Sequence, residues 1–218
     1  VMNGEDYDIQ VDAPVRWLRP GRNLGWMGGI NHARPFVNGN YVMLLNDDTQ
    51  ILDYDKGWLT RLIEPLVKNE SIVASGPVSN AAMGYQDIGK SATIPHRRHT
   101  THLLSGFCLL AKKSALDAVD WLDDSLPGGD DVDLSMKLVY AGKELAICRD
   151  VFVYHRYATT GRRVHGDYWD SAEHSEKTRI ALIRKHGLKR VIQYEQGYAR
   201  TAAGNSARTA VAKDAVAA

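Results

Sequence analysis

Short apolar runs alternate with amphipathic stretches along the chain, and this alternation limits the fold more than any other feature. The clearest run, Tyr41-Val42-Met43-Leu44-Leu45, is continuous and bounded by polar residues, the pattern of a buried strand. Leu59, Leu62, Ile63, Leu66 and Val67 then recur at helical spacing. Pro65 lies inside that pattern, so a kink is expected there. Ile72-Val73-Ala74 reads as a second strand, stopped at Gly76-Pro77. Phe107–Ala111 reads as a third, with Leu145–Cys148 and Val151–Tyr154 as two more. Helices are expected over Ser114–Val119, over Asp131–Ala141 with Gly142 as its stop, and over Ser171–Lys185 with Gly187 as its stop. Residues 78–102 are polar and without a period, a loop of the length that usually carries function. Together these predict an α/β sandwich with a largely parallel sheet flanked by helices, whose ligands bind beyond the carboxyl ends of the strands.

The 218 residues are 44% hydrophobic, enough for one domain with a sizeable core. A net charge of +1 gives no electrostatic footprint for nucleic acid or a membrane surface. No apolar run approaches the roughly 20 residues that cross a bilayer. Cys108 and Cys148 sit in apolar stretches and read as core residues, with a reducing cytoplasm as the expected setting. The chain opens at Val1 without a leader pattern and is expected to be a fragment. Residues 188–218 read as a tail, with the Ala-rich stretch 199–218 frayed.

Four segments could carry chemistry. Asn46-Asp47-Asp48 ends the Tyr41–Leu45 run with two adjacent carboxylates; it is either a solvated turn or an oxygen site for a hard cation such as Mg²⁺ or Mn²⁺. Gly128-Gly129-Asp130-Asp131-Val132-Asp133 opens a helix. There Asp130 can cap and Asp133 can reach back in a capping box, which leaves Asp131 free to act as a general base. His155 ends the Val151–Tyr154 run, as a structural side chain or as a metal ligand. Arg156, Arg162 and Arg163 fall in a Gly-containing segment, either a solvated loop or a lid that neutralises a diphosphate. His96, His99 and His102, with Arg97 and Arg98, lack helical ligand spacing and fit a flexible loop on the acceptor side better than a metal site.

The order of these segments is more specific than any one of them. Asn23-Leu24-Gly25-Trp26-Met27-Gly28-Gly29-Ile30-Asn31, then YVMLLNDDT, GPVSN with Gln86 nearby, GFCLLAKKSAL, WLDDSL, GGDDVDLSMKL, AGKEL and VYH resemble the motif series of inverting family 2 glycosyltransferases with the GT-A fold. The resemblance covers about residues 1–187, which are taken as the catalytic domain.

The resemblance implies a metal-dependent transfer, with inversion, of a sugar from a nucleotide-diphosphate donor to an acceptor hydroxyl on a glycan, a lipid-linked molecule or a protein. It places Asp131 as the base, and Asp48 with His155 at Mn²⁺ or Mg²⁺. Asn3, Asn23, Gly25, Asn31, Asn46 and Asp47 fall on the donor side, with Asn46 where relatives carry Asp. Arg156, Arg162 and Arg163 fall at the diphosphate, and Asn80, Gln86 and Asp130 on the acceptor side. Asn3-Gly4-Glu5-Asp6 resembles the end of the fold's second strand, with Met2 where relatives carry Asp. A first strand and helix, roughly 30 residues or more, are then expected upstream of Val1, and weak or absent activity of the fragment with them. A cytoplasmic place, or one at the inner face of a membrane, goes with this reading. Two other classes remain open on the residues alone: a non-catalytic nucleotide-sugar-binding domain and a metal-dependent phosphohydrolase.

Overall fold

A computed structural model of the chain describes residues 1–4, 11–91, 98–157 and 159–196. The first helix, α1 (Gly25–Ala33), leads to strands β1 (Tyr41–Leu45) and β2 (Thr49–Ile51). Next come α2 (Trp58–Lys68), β3 (Ile72–Val78), α3 (Ile88–Ser91), β4 (Arg98–Thr101), β5 (Cys108–Lys112) and α4 (Lys113–Ala118). The chain continues through α5 (Asp130–Tyr140), β6 (Glu144–His155), α6 (Thr159–His165) and α7 (Ala172–His186).

The sheet is ordered β1-β5-β3-β6, and both β2 and β4 pair with β6. Strands β1, β3 and β6 run in one direction, as expected of an α/β sheet with helices on its faces. β5 runs against them between β1 and β3, so β3–β6 is the parallel pairing among the described strands. The main core lies between the sheet and helices α4 and α5, with Leu109, Leu116, Trp121, Leu134 and Ile147 buried in it. A second cluster packs Leu62 and Leu66 of α2 on Phe107, Leu110, Cys148 and Val153. Both cysteines are buried, and burial pushes the Cys108 thiol up to about 12.

Several elements run further than their punctuation suggests. β3 continues through Gly76-Pro77 to Val78. Gly76 is there for closeness and not for a turn, since a Cβ would come within 2.4 Å of Gln86 Nε2 and 3.3 Å of the Cys108 carbonyl. The two strands read over 145–148 and 151–154 are one, β6, with a bulge where Cys148 pairs Pro77 and Phe152 pairs Val78. α2 runs past Pro65 to Lys68. Pro65 has no N–H for the Arg61 carbonyl, and the Cys148 thiol donates to that oxygen at 3.6 Å.

At the other end, 188–196 are helical and belong to the packed body. Val191 and Tyr194 are buried with Leu126, Met136 and Leu182, and the Tyr194 hydroxyl donates to the His102 carbonyl at 2.5 Å. Residues 199–218, Glu5, Asp6, His96 and Arg97 lie outside the described residues. No described helix is long and apolar enough to cross a membrane.

Candidate functional site

The carboxyl end of β1 and the end of β6 are brought together by β2. Leu45 pairs Cys108, and the Asn46 N–H donates to the Phe107 carbonyl at 2.9 Å, which closes the β1–β5 ladder. The chain then turns through Asp47-Asp48 and pairs Thr49 with His155. The Thr49 hydroxyl donates to the Asn46 carbonyl at 2.7 Å and holds that turn. The Arg156 N–H donates to the Asp48 carbonyl at 3.0 Å. As a result Asp48 Oδ1 lies 3.2 Å from His155 Nε2, and the Asn46 amide 3.4 Å from the same nitrogen.

His155 is only 7% exposed and is held on every side. Its ring stacks on Phe107 with centroids 5.0 Å apart, and Tyr157 meets it edge-on at 5.9 Å. Asn80 brackets its backbone, donating to the His155 carbonyl and accepting from the His155 N–H, both at 2.9 Å. Nδ1 lies 3.0 Å from the Ala81 carbonyl. A carbonyl only accepts, so Nδ1 donates to it, and Nε2 is the ring nitrogen turned toward the Asp48 carboxylate. Asp48 Oδ1 and Asn46 Oδ1 are both buried without a hydrogen-bond donor. Two electron-rich atoms at 3.2 Å, with an orphaned amide oxygen beside them, fit a cation. Among the described residues no cluster of three or more His, Cys, Asp or Glu side chains forms, so a cation here would draw further oxygens from its ligand or from water.

The second centre is the first turn of α5. Gly129 is left-handed (φ 69°), and a Cβ on it would come within 2.7 Å of Thr178 Cγ2. The helix starts at Asp130 and no side chain caps it. The capping-box expectation therefore fails. Asp133 does not reach back. It is fully buried and meets His186 Nε2 at 2.6 Å, Lys185 Nζ at 2.9 Å and Lys137 Nζ at 3.4 Å. Asp131 is not free by elimination either, because its carboxylate accepts from the Val132 N–H at 2.8 Å. What distinguishes Asp131 is its surroundings. Burial, and then the neighbouring charge of Asp130, push it up to about 7. Burial raises Asp130 too, against a hydrogen bond from the Trp26 indole.

One short strip of chain joins the two centres. Gly106 donates its N–H to Asp131, and a Cβ on Gly106 would sit 3.5 Å from Asp130 Oδ2 and 3.7 Å from Trp26 Nε1. The next residue, Phe107, carries the ring under His155 and the carbonyl that takes the Asn46 N–H. The Asp48–His155 pair and Asp131 thus lie on either side of two consecutive residues. Phe107, Gly106, Trp26 and Tyr157 received no role from sequence reasoning, although GFC and LGW stand inside recognised motifs.

The other expected site residues divide. Asn3 anchors the start of α1, accepting from the Leu24 N–H at 2.7 Å and donating to the Gly25 carbonyl at 2.8 Å. Asn23 accepts from the Gly25 N–H at 2.8 Å, and the Asn31 amide donates to the Leu122 carbonyl at 2.8 Å. Asn23 and Asn31 line a shallow cleft of about 440 Å³ with Arg22, Gly28, His32 and Asp124, apart from Asp48, Asp131 and His155. Asp47 is exposed beside Asp48. Gln86 is fully buried: its amide donates to the Pro77 carbonyl at 2.9 Å and its oxygen accepts from the Ser105 N–H at 2.7 Å. It braces the Ser105–Phe107 strip and offers nothing to an acceptor, a correction to its expected place; Asn80, which brackets His155, likewise has its amide engaged by protein. Arg156 and Arg163 are exposed, and Arg162 pairs with Asp170 at 2.7 Å.

With this geometry in hand, likeness to known proteins is informative. The pattern of Glycosyl transferase family 2 matches residues 6–119, just over half of the chain, including Asn46–Asp48 but not Asp131 or His155. Uncharacterized proteins of Mycobacterium bovis and Mycobacterium tuberculosis are 26% identical over 206 residues, covering 86% of this chain and 75% of theirs. Among solved structures, the mannosyltransferase PcManGT from Pyrobaculum calidifontis, in complex with GDP-Man and Mn²⁺, superposes with a TM-score of 0.56 at 17% identity. The match covers 89% of this chain and 56% of that one, so this chain spans little more than half of that protein. The fold is that of the GT-A glycosyltransferases, and the chain belongs to glycosyl transferase family 2.

Proposed function

We propose that the chain moves a sugar from a nucleotide-diphosphate sugar to an acceptor hydroxyl, with inversion and with Mn²⁺ or Mg²⁺ held at Asp48 and His155. The observation that carries this reading is the Gly106-Phe107 strip, which sets a cation-ready pair on one side and a carboxyl of raised pKa on the other. Family membership and the GDP-Man and Mn²⁺ bound by the archaeal mannosyltransferase support it.

The cation, when bound, offsets the charge that builds on the leaving diphosphate. Asp48 and His155 hold it, the His155 tautomer being set by the Ala81 carbonyl. Asn46 and Asp47 stand on the donor side of this pair, with Asn3, Asn23, Gly25 and Asn31 further along it. Arg156, Arg162 and Arg163 supply positive charge to the diphosphate. Asp131 takes the acceptor's hydroxyl proton as the new C–O bond forms, and Asp130 lines the acceptor side. A base with a pKa near 7 is matched to this step, because it is ionised in part at neutral pH and still attracts a proton. One displacement on the face opposite the leaving group inverts the anomeric centre. Residues 1–187, extended by the helix over 188–196, form the catalytic domain in this reading. The acceptor is a hydroxyl of a glycan, lipid-linked molecule or protein, met in the cytoplasm or at the inner face of a membrane.

Incubating the protein with a panel of nucleotide sugars and acceptors, with Mn²⁺ or with a chelator, tests the reading. Cation-dependent release of one nucleoside diphosphate is expected, with a product of inverted anomeric configuration by NMR. Hydrolysis of simple phosphate esters without sugar selectivity would count for a phosphohydrolase instead. Donor binding without turnover would count for a non-catalytic domain.

A further inference from the structure

Beyond the cation pair, Tyr157 and Asp170, neither with an expected role, both engage Arg162. Tyr157, two residues past His155, has a left-handed backbone (φ 65°) that non-glycine residues adopt at a cost in strain. Its ring meets the edge of His155 at 5.9 Å and carries the Arg162 guanidinium over its face, 5.5 Å from the centroid. Arg162 in turn donates from Nε to Asp170 Oδ2 at 2.7 Å. Asp170 ends the 3₁₀ turn Gly166–Asp170 that follows α6. The two partners are 55% and 44% exposed.

We infer that Tyr157 keeps Arg162, given to the diphosphate above, in place, and that the Asp170 carboxylate holds the position on its guanidinium that the diphosphate takes. The inference rests on the nucleotide-sugar reading above and deepens it. Three features favour it. The Tyr157 ring spans the gap between His155 and Arg162, so the guanidinium stands one aromatic ring away from the cation pair. A guanidinium has five N–H donors, and the Asp170 contact uses the one on Nε; an anion that arrives at the Nη donors becomes bidentate on the fork by taking the Nε position from Asp170. An ion pair this exposed holds weakly, while a diphosphate brings more charge than one carboxylate and displaces it.

Calorimetric titration with magnesium pyrophosphate at sub-millimolar concentration tests this without knowledge of the nucleotide or the sugar. The wild-type protein is expected to bind it. Arg162→Gln should weaken binding about ten-fold, and Tyr157→Asn, which tolerates the left-handed backbone but lacks the ring, should weaken it by less, while Tyr157→Phe should not. Asp170→Asn should strengthen binding about two- to five-fold, and that gain should vanish in the Arg162→Gln background. A gain that survives there would reflect general relief of negative charge and would overturn the inference, as would an Asp170→Asn protein that binds no more tightly than wild type. If the wild-type protein does not bind magnesium pyrophosphate at all, the cation–diphosphate site falls, and this inference with it.

Discussion

Asp131 and Asp133 stand two residues apart in one helical turn, and α5 gives them opposite company. Asp133 is enclosed by Lys137, Lys185 and His186, contributed by its own helix and by α7, with Asp123 sharing Lys185 at 2.6 Å. Asp131 pairs with no such cation among the described residues. It has burial, the adjacent carboxyl of Asp130 and backbone donors from Val132 and Gly106. A buried carboxylate ringed by cations is a fixed structural part. One that is buried beside another carboxylate can take up and release a proton near neutral pH, which is a chemical property. The difference shows how a single helix start can serve two purposes: the side of the turn that meets α7 fastens the helix, and the side that meets Gly106 holds the carboxyl proposed as the base.

The largest expected effect lies on the reactive side. Asp131→Asn should lower sugar transfer by about 10²–10⁴ while leaving donor binding in place. Unchanged turnover would remove Asp131 as the base. On the fastening side, Asp133→Ala should cost about 3 kcal/mol of stability in chemical denaturation, because it strands the half-buried Lys137 and Lys185 ammonium groups and the His186 ring. If the midpoint does not move, the cation ring is ornamental and the comparison fails. An effect of opposite sign is expected for Asp131. A carboxyl whose folded pKa is about 7 lies above its unfolded value of about 3.9, so its contribution to stability is lost as pH rises through that interval. Asp131→Asn should therefore match wild type near pH 4 and be the more stable protein at pH 8, the gap widening between the two.

The fold was legible where burial sets the pattern. The run Tyr41–Leu45 and the Ser171-to-Gly187 helix lie where period and caps put them, and Ser171 does accept from the His174 N–H at 3.1 Å. It was illegible where a residue type has two physical uses. Gly76-Pro77 looked like a stop because glycine and proline turn chains, but here glycine makes room for Gln86. Asp130 and Asp133 looked like a capping box because spacing alone cannot reveal that Lys185 and His186 of α7 arrive from more than 50 residues away. The resemblance assigns Asp48 and His155 to one cation, and the two side chains lie 3.2 Å apart. The part played by Phe107 was not, because a phenylalanine opening an apolar run carries no local sign that its ring will lie under an imidazole. A tail is expected over 188–196, yet Val191 and Tyr194 are buried there.

The finest test of the contrast concerns Trp26, which touches the reactive side only. Its indole N–H donates to Asp130 and so favours the charged form of that carboxyl. A charged Asp130 is in turn the second cause of the raised pKa of Asp131. Trp26→Phe keeps an aromatic ring against the core and deletes the donor. Asp130 should then hold its proton to higher pH, its field on Asp131 should weaken, and the acid limb of the pH–rate profile should move down by a few tenths of a unit. Stability should change little, since the ring still packs beside Met27 and Ile30. A shift to higher pH would mean that Trp26 acts on Asp131 through lost burial and not through Asp130. A profile that does not move would mean that the two carboxyls titrate without reference to each other, and that burial alone sets Asp131 apart from Asp133.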